Sequence, residues 1–254
     1  NKNNKEKIMI SVDTIVQQLT ILNLTGFKDS LLHQSNDANY SSLSFEERLY
    51  HLFEAEIIQR DNKRIKRVLQ AATLKDKTAS LDQIEYLPKR NLDKSVIMSL
   101  ATGNFIKNNQ NVLITGPSGV GKSFTMQCLA RRAIDLGYTT KYYRVSNLLE
   151  EIRVSRMAGN YTKTLAKISK FKLLLLDDFG VSALRPDEVN DLFEIIEDRV
   201  FNGSIIITAQ LPIKDWHAYL GNETIADAMM DRLIHTAHKL ELKGGSMREY
   251  LAKK

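Results

Sequence analysis

The chain has 254 residues and one cysteine, Cys128, so no disulfide can form within it. A sequence with so little cysteine fits a reducing compartment, and a cytoplasmic location is expected. Cys128 falls in an expected helix, where a small buried hydrophobe is its expected role. No segment approaches the roughly 18 consecutive apolar residues of a membrane-spanning helix. The aliphatic run near the centre, residues 173–176, holds only leucines and then stops at two acids. The start, NKNNKEKIMIS, has lysines but no apolar stretch long enough for a secretory signal, and no membrane association is expected. There is no internal repeat and no low-complexity tract.

What is present is ordinary globular composition, 43% hydrophobic and 26% charged. The length suits one large domain, or one with a small extension. Formal net charge is +6, which makes a polyanionic partner plausible. The charge is unevenly spread. Residues 153–172 carry Arg153, Arg156, Lys163, Lys167, Lys170 and Lys172 with no acid between them. Residues 60–67 carry Arg60, Lys63, Arg64, Lys66 and Arg67 against Asp61 alone. Each cluster reads either as a solvated helix face or as a surface for nucleic acid.

Three regions are expected: a helical N-terminal domain over 1–75, a linker over 76–92, and an α/β domain over 93–254. Apolar residues at helical spacing mark a helix over 11–24, with a break near Gly26 and a second short helix after it. The polar SNDANYSS is expected to be a loop. Ser44 and Glu47 have the spacing of a capping box and open a helix running to about Leu74, with Leu49, Leu52, Phe53 and Ile57 as its apolar stripe. A helix over 93–107 follows the linker. From there strands and helices alternate: strands at 111–115, 139–145, 173–176 and 204–210, with helices at 122–136, 147–157, 161–169 and around 189–200, then a helical tail. This alternation predicts a parallel sheet covered by helices on both faces.

The sequence GPSGVGKS, residues 116–123, fits the phosphate-loop pattern at every fixed position, with an apolar strand before it and a helix after. Glycines let successive backbone N–H groups turn inward on phosphate oxygens, and the helix adds its positive end. Gly116, Pro117, Ser118, Gly119, Val120, Gly121, Lys122, Ser123 and Phe124 are therefore expected to hold a nucleotide. Lys122 reaches the terminal phosphates and Ser123 ligates Mg²⁺. The strand at 173–176 ends in Asp177 and Asp178. Two acids at the carboxyl end of a buried strand need a cation or water to face. Asp177 is assigned to the metal and Asp178 to the attacking water. An additional strand between the two motif strands would leave room for that water. Thr208 and Gln210, at the end of the fourth strand, either contact the terminal phosphate or simply finish the strand. Arg199 and Arg232 are both candidates to complete a neighbouring copy's site.

GPSGVGKS, LLLLDDFG, SIIITAQLPIKDWH, DAMMDRLIH and the N-terminal LSFEERLYHLFEAEIIQRDNKRIKRVLQAATL together resemble the IstB-type transposition helper ATPases. These group with the DnaC/DnaI-type helicase loaders in the AAA+ superfamily, and the resemblance spans nearly the whole chain. It implies a P-loop AAA+ core that uses ATP and Mg²⁺, forms homo-oligomers on double-stranded DNA, and recruits or activates the transposase of the same mobile element. On that pattern Arg232 supplies an arginine finger in trans, Gln210 stands where relatives carry a sensor asparagine, and Arg248 falls near a second phosphate-sensing position. Asp178 stands where most AAA+ proteins have the longer glutamate. In loader and initiator relatives an insertion after the second strand lines the DNA channel. Arg153, Arg156, Lys163 and Lys167 occupy that place, with Arg60, Lys63, Arg64 and Arg67 as a second candidate DNA surface or a surface for the transposase.

Other classes stay open at this point. A helicase loader would share the core and differ in its N-terminal partner. A small-molecule kinase would need a substrate lid, and a pure binding module would never hydrolyse its nucleotide.

Overall fold

The computed structural model describes residues 11–253. Its contacts fall into two compact units divided between Lys66 and Arg67, each taken by itself.

The first unit is helical. Ser11 caps α1 (Val12–Ile21) by accepting from the Thr14 amide. The expected break lies at Asn23, in the left-handed region at φ 56°, rather than at Gly26. Gly26 sits in the first turn of α2 (Thr25–Asn36) because a Cβ there would lie 2.4 Å from the Ala55 carbonyl oxygen. Leu24 cannot cap α2, and the buried carboxylate of Glu56 does so instead. Its Oε2 accepts from the amides of Gly26 at 2.8 Å and Phe27 at 3.1 Å. SNDANYSS is no open loop: it finishes α2 and continues as a 3-10 turn over Ala38–Ser42. The Ser44–Glu47 capping box forms as expected and opens α3 (Phe45–Ala72). Of the expected stripe, Leu52 is buried, whereas Phe53 and Ile57 are more than half exposed.

The second unit is a five-stranded parallel sheet in the order β2-β3-β4-β1-β5. Its strands are β1 (Val112–Thr115), β2 (Thr140–Arg144), β3 (Leu173–Phe179), β4 (Ser204–Ala209) and β5 (His238–Glu241). The three central strands are buried along nearly their whole length, as a sheet covered on both faces requires. Residues 76–92 carry two 3-10 turns, and Ala79, Ile84 and Leu92 are buried. The helix expected over 93–107 is two, α4 (Lys94–Leu100) and α5 (Asn104–Lys107), separated at Gly103, whose φ is 79°. Next come α6 (Lys122–Asp135), α7 (Val145–Met157), α8 (Tyr161–Ser169), α9 (Pro186–Arg199), α10 (Trp216–Leu220) and α11 (Glu223–Ile234). Cys128 is buried in α6, and burial raises its thiol pKa to about 12.

One expectation is corrected here. The tail is not wholly helical: β5 pairs in parallel with β1 before a last short helix, α12 (Met247–Ala252). The acids lie at the carboxyl end of β3, as expected, and the strand runs on to Phe179. Pairing of β3 with β4 is interrupted between Leu176 and Phe179, and Asp178 adopts φ 63°. The strand between the two motif strands is β4, and β2 lies at the sheet edge beyond β3.

Candidate functional site

The loop between β1 and α6 is packed tightly from two sides. Gly116 has φ 144°, and a Cβ there would come within 2.1 Å of the Leu242 carbonyl oxygen. Gly121 has φ 95°, and its Cβ would meet the Arg90 guanidinium at 2.7 Å. Side chains are thus excluded by both conformation and space. Arg90, which carries no motif signature, is almost fully buried behind the loop. It donates to the carbonyls of Val120, at 2.8 Å, and Glu85. The Met247 amide, at the start of α12, donates to the Gly119 carbonyl at 2.8 Å.

Lys122 turns back over the loop and donates to the carbonyls of Gly116 and Pro117, both at 2.7 Å. Burial lowers its pKa, against the opposing pull of Asp177 and Asp178. Val120 is buried in the loop, Pro117 and Ser118 are exposed, and Phe124 is half-buried in the first turn of α6.

Asp177 is fully buried and uses both oxygens. Oδ1 accepts from the Ser123 hydroxyl at 2.7 Å and from the Thr208 hydroxyl. Oδ2 accepts from the Tyr142 hydroxyl at 2.9 Å and the Lys75 ammonium at 2.8 Å. Burial pushes the carboxyl pKa up, but the bonds from Lys75, Thr208 and Ser123 outweigh it and hold the acid below its ordinary value. Burial and the Asp177 charge push the Tyr142 phenol up, so it stays a donor.

The backbone turns at Asp178, with φ 63°. Its carboxylate is partly exposed, 3.3 Å from the Arg144 guanidinium, and its amide donates to the Thr208 hydroxyl at 3.3 Å. Thr208 therefore bridges both acids from β4. Gln210 follows as an exposed residue, in a cleft it shares with Gly116, Pro117 and Lys214. The structure brings together the phosphate loop, Asp177, Asp178 and Thr208, and adds Lys75, Arg90, Tyr142 and Arg144. Tyr142 and Arg144 had one readable signal, since alternate polar residues at the carboxyl end of a strand belong near ligands. Lys75 and Arg90 had none, because nothing in their local pattern points at a loop or strand so distant in sequence.

Arg232 lies elsewhere. Its backbone carbonyl accepts from Asn111, at the amino end of β1, whereas the phosphate loop leaves the carboxyl end. Its guanidinium pairs with Glu197 and lies 5.4 Å above the Phe193 ring. Arg199 is unavailable to any neighbour: it is buried and donates to the carbonyls of Ile168, Phe171 and Ser204. Arg248 is exposed in the first turn of α12.

The basic residues have acidic company in space that the sequence stretch hides. Arg153 pairs with Glu150 from the preceding turn of α7. Arg156 pairs with Asp191 of α9 and stacks 4.4 Å from the Tyr161 ring centre. Lys163 and Lys167 are exposed on α8. In the first unit, Arg60 pairs with Glu56 at 2.7 Å, Arg64 with Asp61 at 3.2 Å, and Lys63 donates to the Thr25 hydroxyl. Arg67, just across the division, is exposed on α3.

A phosphate loop after β1, an acid pair at the end of β3 and a single strand between the two define a P-loop NTPase core of the AAA+ class. The solved structure of DnaI shares this fold, with a TM-score of 0.56 at 19% identity, over 70% of this chain and 94% of that one. The chain belongs to the family of IstB-like ATP binding proteins, whose model it matches over residues 17–254. It is 35% identical over 233 residues to y4pL of Sinorhizobium fredii (strain NBRC 101917 / NGR234), covering 92% of this chain and 95% of that protein. It is 39% identical over 197 residues to the IS1162 protein of Pseudomonas fluorescens, covering 78% and 85%. Both relatives carry the name of an insertion sequence ATP-binding protein. Among the described residues no helix is long and apolar enough to cross a membrane.

Proposed function

We propose that this chain is a Mg²⁺-dependent ATPase that assembles as a homo-oligomer on duplex DNA and recruits or activates the transposase of its own mobile element. The relatives' names support an insertion-sequence role over a replicative one. The observation that carries the reading is Asp177 on Ser123, with Thr208 joining the acid pair to β4.

The loop amides and the start of α6 bind the phosphates of ATP, and Lys122 exchanges its two carbonyl partners for phosphate oxygens. The Ser123 hydroxyl and the Asp177 carboxylate form an all-oxygen donor set at the loop, of the kind that suits Mg²⁺. When bound there, the ion neutralises charge on the terminal phosphates. Asp178, outside the buried cluster and partly exposed, orients the attacking water and takes its proton. Gln210 borders the same cleft and contacts the terminal phosphate. Because Arg232 stands at the far end of β1 from its own loop, it serves the site of an adjacent copy. Lys163 and Lys167, together with Arg153 and Arg156, give DNA affinity through backbone phosphates. The cluster of Arg60, Lys63, Arg64 and Arg67 contacts DNA or the transposase.

The test is ATP turnover by the purified chain, alone and with duplex DNA. DNA-stimulated hydrolysis that Arg232→Ala abolishes, with ATP binding kept, supports the reading. Full turnover by the Arg232 variant overturns the trans role.

A further inference from the structure

Lys75 reaches the metal acid from outside every motif. The chain around it is fastened to the edge strand. Thr73, at φ 54°, donates its hydroxyl to the Tyr142 carbonyl at 3.2 Å, Lys141 donates to the Ala71 carbonyl at 3.1 Å, and Leu74 is buried. This anchorage sets the Lys75 ammonium 2.8 Å from Asp177 Oδ2 and 5.3 Å over the Tyr142 ring. The two oxygens of Asp177 thus have separate tasks. Oδ1 faces Ser123, where the metal is proposed to bind, and Oδ2 faces Lys75 and Tyr142. The carboxylate is fully buried while the lysine side chain is 40% exposed, so only the acid depends on the pair for its charge.

We propose that Lys75 is a positioning residue of the metal site: a resident counter-ion that grips the far oxygen of Asp177, leaves the near oxygen to the metal, and keeps the bare site from drawing divalent cations before nucleotide arrives. The inference rests on the reading that Ser123 and Asp177 hold the metal. A buried carboxylate with no cation beside it is costly, and would attract any divalent ion in solution. With Lys75 on Asp177, Arg144 on Asp178 and Lys122 within reach of both charges, the two acids are already matched by cations. A bare divalent ion gains little there, whereas one arriving with ATP brings its own negative partner.

The experiment is a titration of nucleotide-free protein with Mn²⁺, following free Mn²⁺ by electron paramagnetic resonance. Lys75→Met is expected to tighten Mn²⁺ binding at least about tenfold, the lower bound set by one charge a few ångström from a divalent ion at the dielectric of water. The gained affinity should vanish when Asp177→Asn is added. Lys75→Arg should behave as wild type, and so should Tyr142→Phe, which removes a hydrogen bond to the same oxygen but no charge. Melting curves check folding, and Lys75→Gln gives the same reading should the methionine variant unfold. Unchanged Mn²⁺ affinity in the charge-removing variants overturns the proposal, as does an equal shift in Tyr142→Phe. A wild-type protein that takes up no Mn²⁺–ATP would sink the ATPase reading separately.

Discussion

The guanidinium of Arg144, at the end of β2, stands 3.3 Å from the carboxylate of Asp178, at the end of β3. Both side chains are about half exposed, whereas the Asp177 carboxylate is fully buried. One residue of left-handed backbone thereby gives the two adjacent acids different surroundings. Asp178→Asn should lower kcat by about 10²-fold or more, the range of a lost general base. ATP affinity should change less than kcat, since the Asp178 carboxylate pairs with Arg144. Single-turnover hydrolysis alongside nucleotide titration separates the two effects.

Gly121→Ala should abolish nucleotide binding. The new Cβ would meet Arg90 at 2.7 Å in a conformation that alanine resists. Fluorescent-nucleotide titration reads the loss. Arg90→Ala should weaken binding as well, because the loop loses the donor behind Val120.

Lys163→Ala and Lys167→Ala should each lower the salt slope of duplex binding by about 0.9, if each contacts one phosphate. Arg156→Ala should cost stability as well as DNA affinity, because Asp191 would be left buried without its cation. DNA affinity at several salt concentrations, with melting curves, tells the two outcomes apart.

Glu56 should make the N-terminal unit acid-sensitive. Burial raises its pKa, but Arg60 and the Phe27 and Gly26 amides outweigh that and hold it below its ordinary value. A carboxyl whose folded pKa is depressed stabilises the fold above its unfolded pKa, and the contribution disappears as pH falls through the folded value. Circular dichroism across the acid range should show α2 loosening there. Glu56→Ala should cost about 1 kcal/mol at neutral pH, as for a lost helix cap, and should flatten the dependence.

The parts legible in the sequence were those with local chemistry. GPSGVGKS announced its loop because glycines and a lysine at fixed spacing have one common use. Residues 145–157 and 161–169 fold as helices nearly where their spacing put them. β5 was missed because it is a four-residue edge strand with only Leu240 buried, giving a periodic signal too short to read. The bulge at Asp178 is set by pairing with β4, which no window around the acids reveals. Arg199 looked like a free cation because sequence carries no sign of the three carbonyls that enclose it. The same blindness hid Lys75, whose partner lies 102 residues away.

Nucleotide-controlled assembly on DNA is the centre of the functional reading. Particle mass measured on duplex DNA in ATP and in ADP, for wild type and Arg232→Ala, tests it most directly. Large assemblies with ATP alone, lost in the arginine variant, are the expected result. Assemblies of equal size in both nucleotides, or with no nucleotide at all, would contradict it.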